Sequence, residues 1–481
     1  MKHMQPTALV LALLMLAGTT ACGDSTADET DTAADTEAVV ETGTETEWLD
    51  SLGERDFAGA VYTIAVPEEG AIPMLNHQCG EMTGETMNDA QYQRDEQIME
   101  RYNCTVFYPE NLSSDAFKNG VIAGDATCDV FVNSLMSTNI GSLTMAGVTR
   151  NLLEVAGLHL NREWWSTLMY ENLQYNGKMF YTSGDLAVAS YIGPACIYLN
   201  LQLADNYALD TDALYTKVYD GQWTLDGFYD LYNGLDTDLN GDGKMHCLDD
   251  FYGVVTEYNN LTSALLLTSA GVRLCEVDEN GKMQVNLGTD DVVDVVEKMQ
   301  LYFNKIENNN DNTLLYDQTF KNGRALFAVH YTESTIRRFR DMEDDYVILP
   351  MPKYTELQET YISYINPWVN GFVCMPVVLE DEERAGFLTD AMAYMSHEIV
   401  RPAMYDMTLK GKAARNEDCV NMIDIVFSTT YLDFNGIYEF GGSMQIVNDT
   451  MFFDKPYASA YAAAESRIQT ALDEFMTIFA D

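Results

Sequence analysis

The chain has 481 residues, 47% of them hydrophobic, and carries 75 acidic against 27 basic side chains, a formal net charge of −48. That is enough apolar content for a large folded core, and a length of roughly three domains at about 150 residues each, which two large interwoven lobes also satisfy. The acidity excludes nucleic acid as a partner, since phosphate binding needs a basic surface, and it equally disfavours docking on anionic lipid through a charged patch.

Lys2 precedes the apolar run Ala8 to Leu16, small residues follow, and then comes Cys22. A short positive region, an apolar core too brief to span a bilayer and small residues before a break describe a secretory signal over residues 1–21. Residues 22–47 contain no basic residue and no aromatic, and are read as a solvated acidic tether. Folding is expected to begin near Trp48.

Ala60 to Val66 alternates and is β-branched, a first strand. A helix is expected from Thr86 to Asn103, capped by Asn88 or Asp89. A strand from Cys104 to Tyr108, a helix from Asp115 to Ile122 and a buried strand from Asp129 to Asn133 follow. This alternation predicts a parallel sheet with ligand-facing loops beyond its strand ends, which makes Asn133 a candidate contact. Trp164 and Trp165, beside polar residues, read either as a stacking platform for a sugar ring or as core. Asn176-Gly177 marks a hairpin turn, Met179 to Thr182 a strand, and Gly184-Asp185 a break. Ala195 to Leu199 opens a second run. One lobe therefore ends near Asp185 and another starts near Tyr191, with a cleft between them. Thr224 is expected to cap a helix that Asp226 supports, with Trp223 as a structural plug. Further helices are expected from Asp290 to Asn308 and from Tyr316 to Gly323. Ala325 to Val329 is a strand ending at His330-Tyr331-Thr332-Glu333. After the strand Tyr346 to Leu349 the chain is expected to return to the first lobe, where Gly371 to Met375 adds a strand preceded by Trp368. Helices at 380–398, 400–409, 418–427 and 459–478 complete it.

The sharpest local motif is Asp236 to Asp250, DTDLNGDGKMHCLDD. Counting from Asp238, oxygen side chains fall at positions one, three (Asn240), five (Asp242) and twelve (Asp249). Gly243 stands at six, and Lys244 offers its carbonyl at seven. A hard cation takes ligands at this spacing, so the loop is expected to hold a structural Ca2+. His246 at position nine and Asp249 instead of a bidentate Glu depart from an EF-hand. Eight cysteines follow Cys22, without a C-x-x-C pair, several of them inside apolar strand patterns. Buried free thiols are favoured, and one or two disulfides stay open. No G-x-S-x-G, H-E-x-x-H, Walker or G-x-G-x-x-G motif is present, and no chemistry is expected.

Several stretches in order resemble the family of extracellular solute-binding lipoproteins that includes maltose- and oligosaccharide-binding receptors of ABC importers. They are Cys22 with its acidic tether, Arg94–Asn103 before CTVFY, Tyr175–Tyr181, Val218–Thr224, the N-G-D-G loop running into Asp250–Gly253, Phe320–Phe327 and Ile348–Tyr354. In that family the Cys is lipidated and becomes the mature N-terminus, although Thr19 stands where the family usually has Leu. An ordinary cleaved signal with a chance Cys is the alternative. The resemblance implies an α/β, two-lobed periplasmic-binding-protein-like fold of type II. Lobe 1 would hold 48–187 plus about 345–395, and lobe 2 would hold 188–344 plus about 396–481. It implies a monomeric receptor at the extracellular face of the membrane, anchored through lipid only, that hands a carbohydrate to ABC permease subunits. A receptor for a peptide or other solute, or a surface glycan-binding protein without a transporter, are the alternatives. On the family's pattern Trp368, Tyr331, Trp165 and Trp164 would offer ring faces, with Asn133, Asp185 and Glu333 as hydrogen-bonding partners.

Overall fold

A computed structural model describes residues 47–66, 80–109, 112–135, 140–303, 315–408 and 416–480. The expected signal, Cys22 and all but the last residue of the tether lie outside them. The first described element is the helix Glu47–Ser51.

Twelve strands follow in chain order among the described residues: β1 Ala60–Ala65, β2 Cys104–Phe107, β3 Val130–Asn133, β4 Ala195–Asn200, β5 Tyr252–Val255, β6 Cys275–Val277, β7 Met283–Val285, β8 Ala325–Tyr331, β9 Tyr346–Leu349, β10 Ser363–Tyr364, β11 Phe372–Cys374 and β12 Thr430–Tyr431. Two four-stranded sheets carry the architecture, in the orders β11-β3-β1-β2 and β5-β8-β4-β9. In the first, β1 runs parallel to β2 and β3 as the alternation predicts, but β11 lies antiparallel on β3. In the second only β5 and β8 are parallel, and β4 is antiparallel to both of its neighbours. Each sheet is thus a mixed one.

Local signals explain most elements. The helix Thr86–Tyr102 is capped by Glu85, whose side chain accepts from the Asn88 N–H, one turn earlier than Asn88 or Asp89 would cap it. Asn103 ends it with φ 46, a left-handed value that Asn tolerates. Thr224 caps Leu225–Tyr232 through the Gly227 N–H, as its position before Leu-Asp predicts. Asn176 and Gly177 both take positive φ, so Tyr175 and Lys178 bridge as a tight hairpin. Beyond that hairpin Met179–Thr182 makes only the single bridge Thr182↔Val373 instead of a full strand. The helix begun at Asp290 is described as far as Phe303. The helix Asn260–Ser269 and the hairpin β6–β7 were not expected from the sequence.

Two segments pair or pack elsewhere than the expected division of the chain puts them. Tyr346–Leu349 pairs with β4, which keeps it in the second sheet instead of returning the chain from about residue 345. The return comes at Ile365–Gly371, ahead of β11. Residues after 396 do not leave at once either: Val400, Ala403 and Met404 pack with Met87 and Ala90 of the first helical layer. Apolar side chains on one face of a helix go to the nearest complementary stripe, and here that stripe belongs to Thr86–Tyr102. The seven described cysteines are all buried, and no two of them are joined by a disulfide. Burial pushes Cys104 up to about 11 and Cys128 up to about 12. No described helix is long and apolar enough to cross a membrane.

Candidate functional site: the cleft at the crossing segments

Two stretches carry the chain between the sheets side by side. The first leaves at Thr182, which exchanges hydrogen bonds with Val373 (2.9 and 2.8 Å), and runs through Asp185 and the short turn Val188–Ile192 to Pro194. The second returns from β10 through Ile365, which bridges Pro194, and through Asn366, whose N–H donates to the Gly193 carbonyl at 2.8 Å. A cleft of about 250 Å³ lies against them. Trp165, Asp185, Tyr191, Asn370, Arg401 and Tyr405 line one part, and Pro194, Phe427 and Thr430 of the second-sheet side close it. Aromatic rings, hydroxyls and a few charged groups converging on one concavity suit a polar ligand with apolar faces.

Asp185 is the best-defined polar group. Its N–H donates to the Trp164 carbonyl at 2.9 Å, and its Oδ2 lies 2.5 Å from His397 Nδ1 and 3.8 Å from Arg401 Nη1. The indole N–H groups of Trp164 and Trp165 both donate to Oδ1 of the buried Asp390, at 3.1 and 2.9 Å. At 3% and 2% exposure the two tryptophans form the floor of the cleft and belong to the lobe core, so they are not a free stacking platform. Of the two readings open in the sequence this is the core one, and a carboxylate far along the chain takes both N–H groups.

Trp368 is 46% exposed, on the turn that Asn366 closes by accepting the Trp368 N–H at 3.0 Å. Tyr331 is buried, which leaves no free ring face, and its hydroxyl donates to the Leu261 carbonyl at 3.0 Å. Glu333 is buried and committed to Arg337 at 2.7 Å. A carboxylate under a sheet end must find a cation, and the arginine one helical turn on is the nearest. Asn133 is buried at the end of β3, its Nδ2 donating to Cys374 Sγ at 3.8 Å and its Oδ1 without a partner among the described residues. The structure thus gathers Asp185, Trp164 and Trp165 at one cleft and leaves Tyr331 and Glu333 in packed surroundings.

Sequence reasoning missed Glu257, two residues beyond β5. It faces His330 at 3.7 Å and Arg338 at 3.8 Å, and the Tyr316 ring stacks on His330 with centroids 4.7 Å apart. The buried run YGVV before it carried the signal, since a carboxylate just past a buried strand sits at a sheet end. His397, Arg401 and Tyr405 had no local signal.

In the loop after residue 236, Asp238 accepts the N–H of Gly241 at 2.7 Å and of Gly243 at 2.8 Å. Asn240 and Asp242 accept those of Asp242 and Lys244, each at 2.8 Å. Gly241 and Gly243 take φ 75 and 79, which the tight winding requires. Asp249 lies 3.5 Å from His246 Nδ1. Carboxylate oxygens that accept one N–H keep further lone pairs for a cation. Among the described residues no three or more His, Cys, Asp or Glu side chains form a group placed to hold a metal ion.

Two mixed α/β sheets, joined by adjacent crossing segments with a cleft against them, define a two-lobed periplasmic-binding-protein-like fold. No protein-family model matches the sequence, and no curated protein matches it. Solved structures do. The chain is similar to a cyclo/maltodextrin-binding protein complexed with maltotetraose, at 14% identity and TM-score 0.55, over 88% of this chain and 96% of that one. UspC of M. tuberculosis aligns at 11% identity and TM-score 0.57, over 85% and 100%. The maltose-binding periplasmic protein MalE of Listeria monocytogenes, in complex with maltose, aligns at 14% identity and TM-score 0.53, over 87% and 97%. These likenesses establish the fold.

Proposed function

We propose that this protein is a lipid-anchored, monomeric receptor on the outer face of the cell membrane that captures a carbohydrate, an oligosaccharide, and delivers it to an ABC importer. It performs no chemistry; affinity for the closed arrangement of the lobes drives capture. One observation carries the reading: the chain shares its fold, over most of its length, with proteins whose structures hold maltotetraose and maltose. The polar, aromatic-lined cleft at the crossing segments supports it, and so does the Cys22 that follows the secretory-type N-terminus. Calcium in the loop from Asp238 to Asp249 belongs to the same proposal, as a structural clamp.

Calorimetric titration with maltotetraose, other neutral oligosaccharides and short peptides tests the ligand class. Saturable heat with an oligosaccharide and none with peptides supports the reading, and the reverse overturns it. Expression of the full chain beside Cys22→Ala tests the anchor: the parent stays with the membrane fraction and the variant is released to the medium.

A further inference from the structure

We infer that His397 and Arg401 are positioning residues that hold Asp185 with one carboxylate oxygen turned to the cleft, as an acceptor for a ligand hydroxyl. The inference rests on the carbohydrate reading above.

Oδ2 of Asp185 is taken by His397 Nδ1 at 2.5 Å, with Arg401 Nη1 at 3.8 Å. At that separation Nδ1 must carry the proton and donate, because a bare nitrogen lone pair would face a carboxylate oxygen. Arg401 Nη1 lies 3.2 Å from the same Nδ1 and cannot donate to a nitrogen already protonated, so its contribution is charge. Oδ1 makes no bond to a described residue, while Asp185 lines the cleft. A carboxylate fixed through one oxygen by a neighbouring imidazole presents the other in a single direction, which is what recognition of a hydroxyl requires.

The backbone is shaped for this contact. Ser396–Val400 is a π-turn between the helices Glu382–Met395 and Arg401–Thr408, and the Arg401 N–H donates to the Ser396 carbonyl five residues back. Pro402 has no N–H for a regular i−4 bond, so the α-helical ladder lacks one bond here in any case. The wider turn changes the phase of the helix and brings His397 to Asp185. Fully buried Arg94 donates to Ser396 Oγ at 3.2 Å, and that hydroxyl donates to the Met392 carbonyl at 2.8 Å, which ties the turn to the first lobe. Single π-turns inside helices occur frequently at functional sites.

The test compares wild type, Asp185→Asn, His397→Ala, His397→Asn and the Asp185→Asn/His397→Ala double variant. Each is titrated with maltotetraose or, where that gives no heat with wild type, with the tightest-binding neutral oligosaccharide of the panel. The asparagine amide can place a donor near the position of Nδ1, so His397→Asn should bind within about threefold of wild type, whereas His397→Ala should lose about tenfold or more. In the Asp185→Asn background the alanine change should cost almost nothing more, which a merely structural histidine would not show. Thermal midpoints of the two His397 variants should agree. Equal binding by His397→Ala and wild type, or additive losses in the double variant, overturns the inference and leaves the carbohydrate reading standing. A wild type that binds no oligosaccharide removes both.

Discussion

Trp165 Nε1 donates to Asp390 Oδ1 at 2.9 Å across 225 residues of sequence, and the same oxygen accepts from Trp164. Asp390 also takes the His159 N–H at 3.1 Å and His159 Nδ1 at 2.8 Å through its two oxygens. Four donors therefore converge on one buried carboxylate beneath the cleft. Asp390→Ala leaves two buried indole donors unsatisfied and should cost about 3 kcal/mol or more. Urea unfolding followed by tryptophan emission measures it, and an unchanged midpoint would refute the assignment.

Gly184 passes so close to these tryptophans that an added Cβ would lie 2.4 Å from the Trp164 carbonyl oxygen and 2.9 Å from Trp165 Cα. Both are backbone atoms and cannot rotate away. Gly184→Ala should destabilise the protein by about 1–3 kcal/mol and distort the cleft beside Asp185. Thermal unfolding reads the first effect and oligosaccharide titration the second.

Glu257 sets an acid limit. Burial pushes its carboxyl up, but the facing His330 and Arg338 and the Asn259 amide, which donates to it at 2.7 Å, outweigh this, and the net shift is downward. A carboxyl with a depressed folded value contributes stability that is present above its unfolded value, about 4.3, and is lost as pH falls through the folded one. Wild type should therefore lose stability relative to Glu257→Gln below about pH 4.3. Parallel melting curves from pH 6 to 3 check this; curves that keep a constant separation contradict it.

The proposed calcium loop predicts a linkage. Saturating Ca2+ at about a hundred times its dissociation constant should add about 2.7 kcal/mol to unfolding, and chelation should remove it. Asp238→Ala should abolish the response, and in chelator it should cost only about 1 kcal/mol, from the lost bonds to the Gly241 and Gly243 N–H groups. A wild-type midpoint indifferent to Ca2+ rejects the metal.

The buried thiols give a simple check of packing. Cys104 and Cys128 are pushed up to about 11 and 12 by burial, so little thiolate exists at neutral pH. Mass spectrometry after iodoacetamide should find both unmodified in native protein and alkylated in guanidinium.

Much of this fold was legible from local chemistry. Asn176-Gly177, Thr224 and the alternating run from Ala60 act within a few residues through φ preference, capping and side-chain period, and each formed as read. Short apolar runs likewise marked β3 and β8. Partner choice was not legible. Whether β9 stays beside β4, whether a Trp faces ligand or core, and which helix brings His397 to Asp185 across 212 residues are settled when distant segments close on one another. A side chain's own sequence neighbourhood sets its direction from the backbone, but the group it meets there is set by the packing of the whole chain.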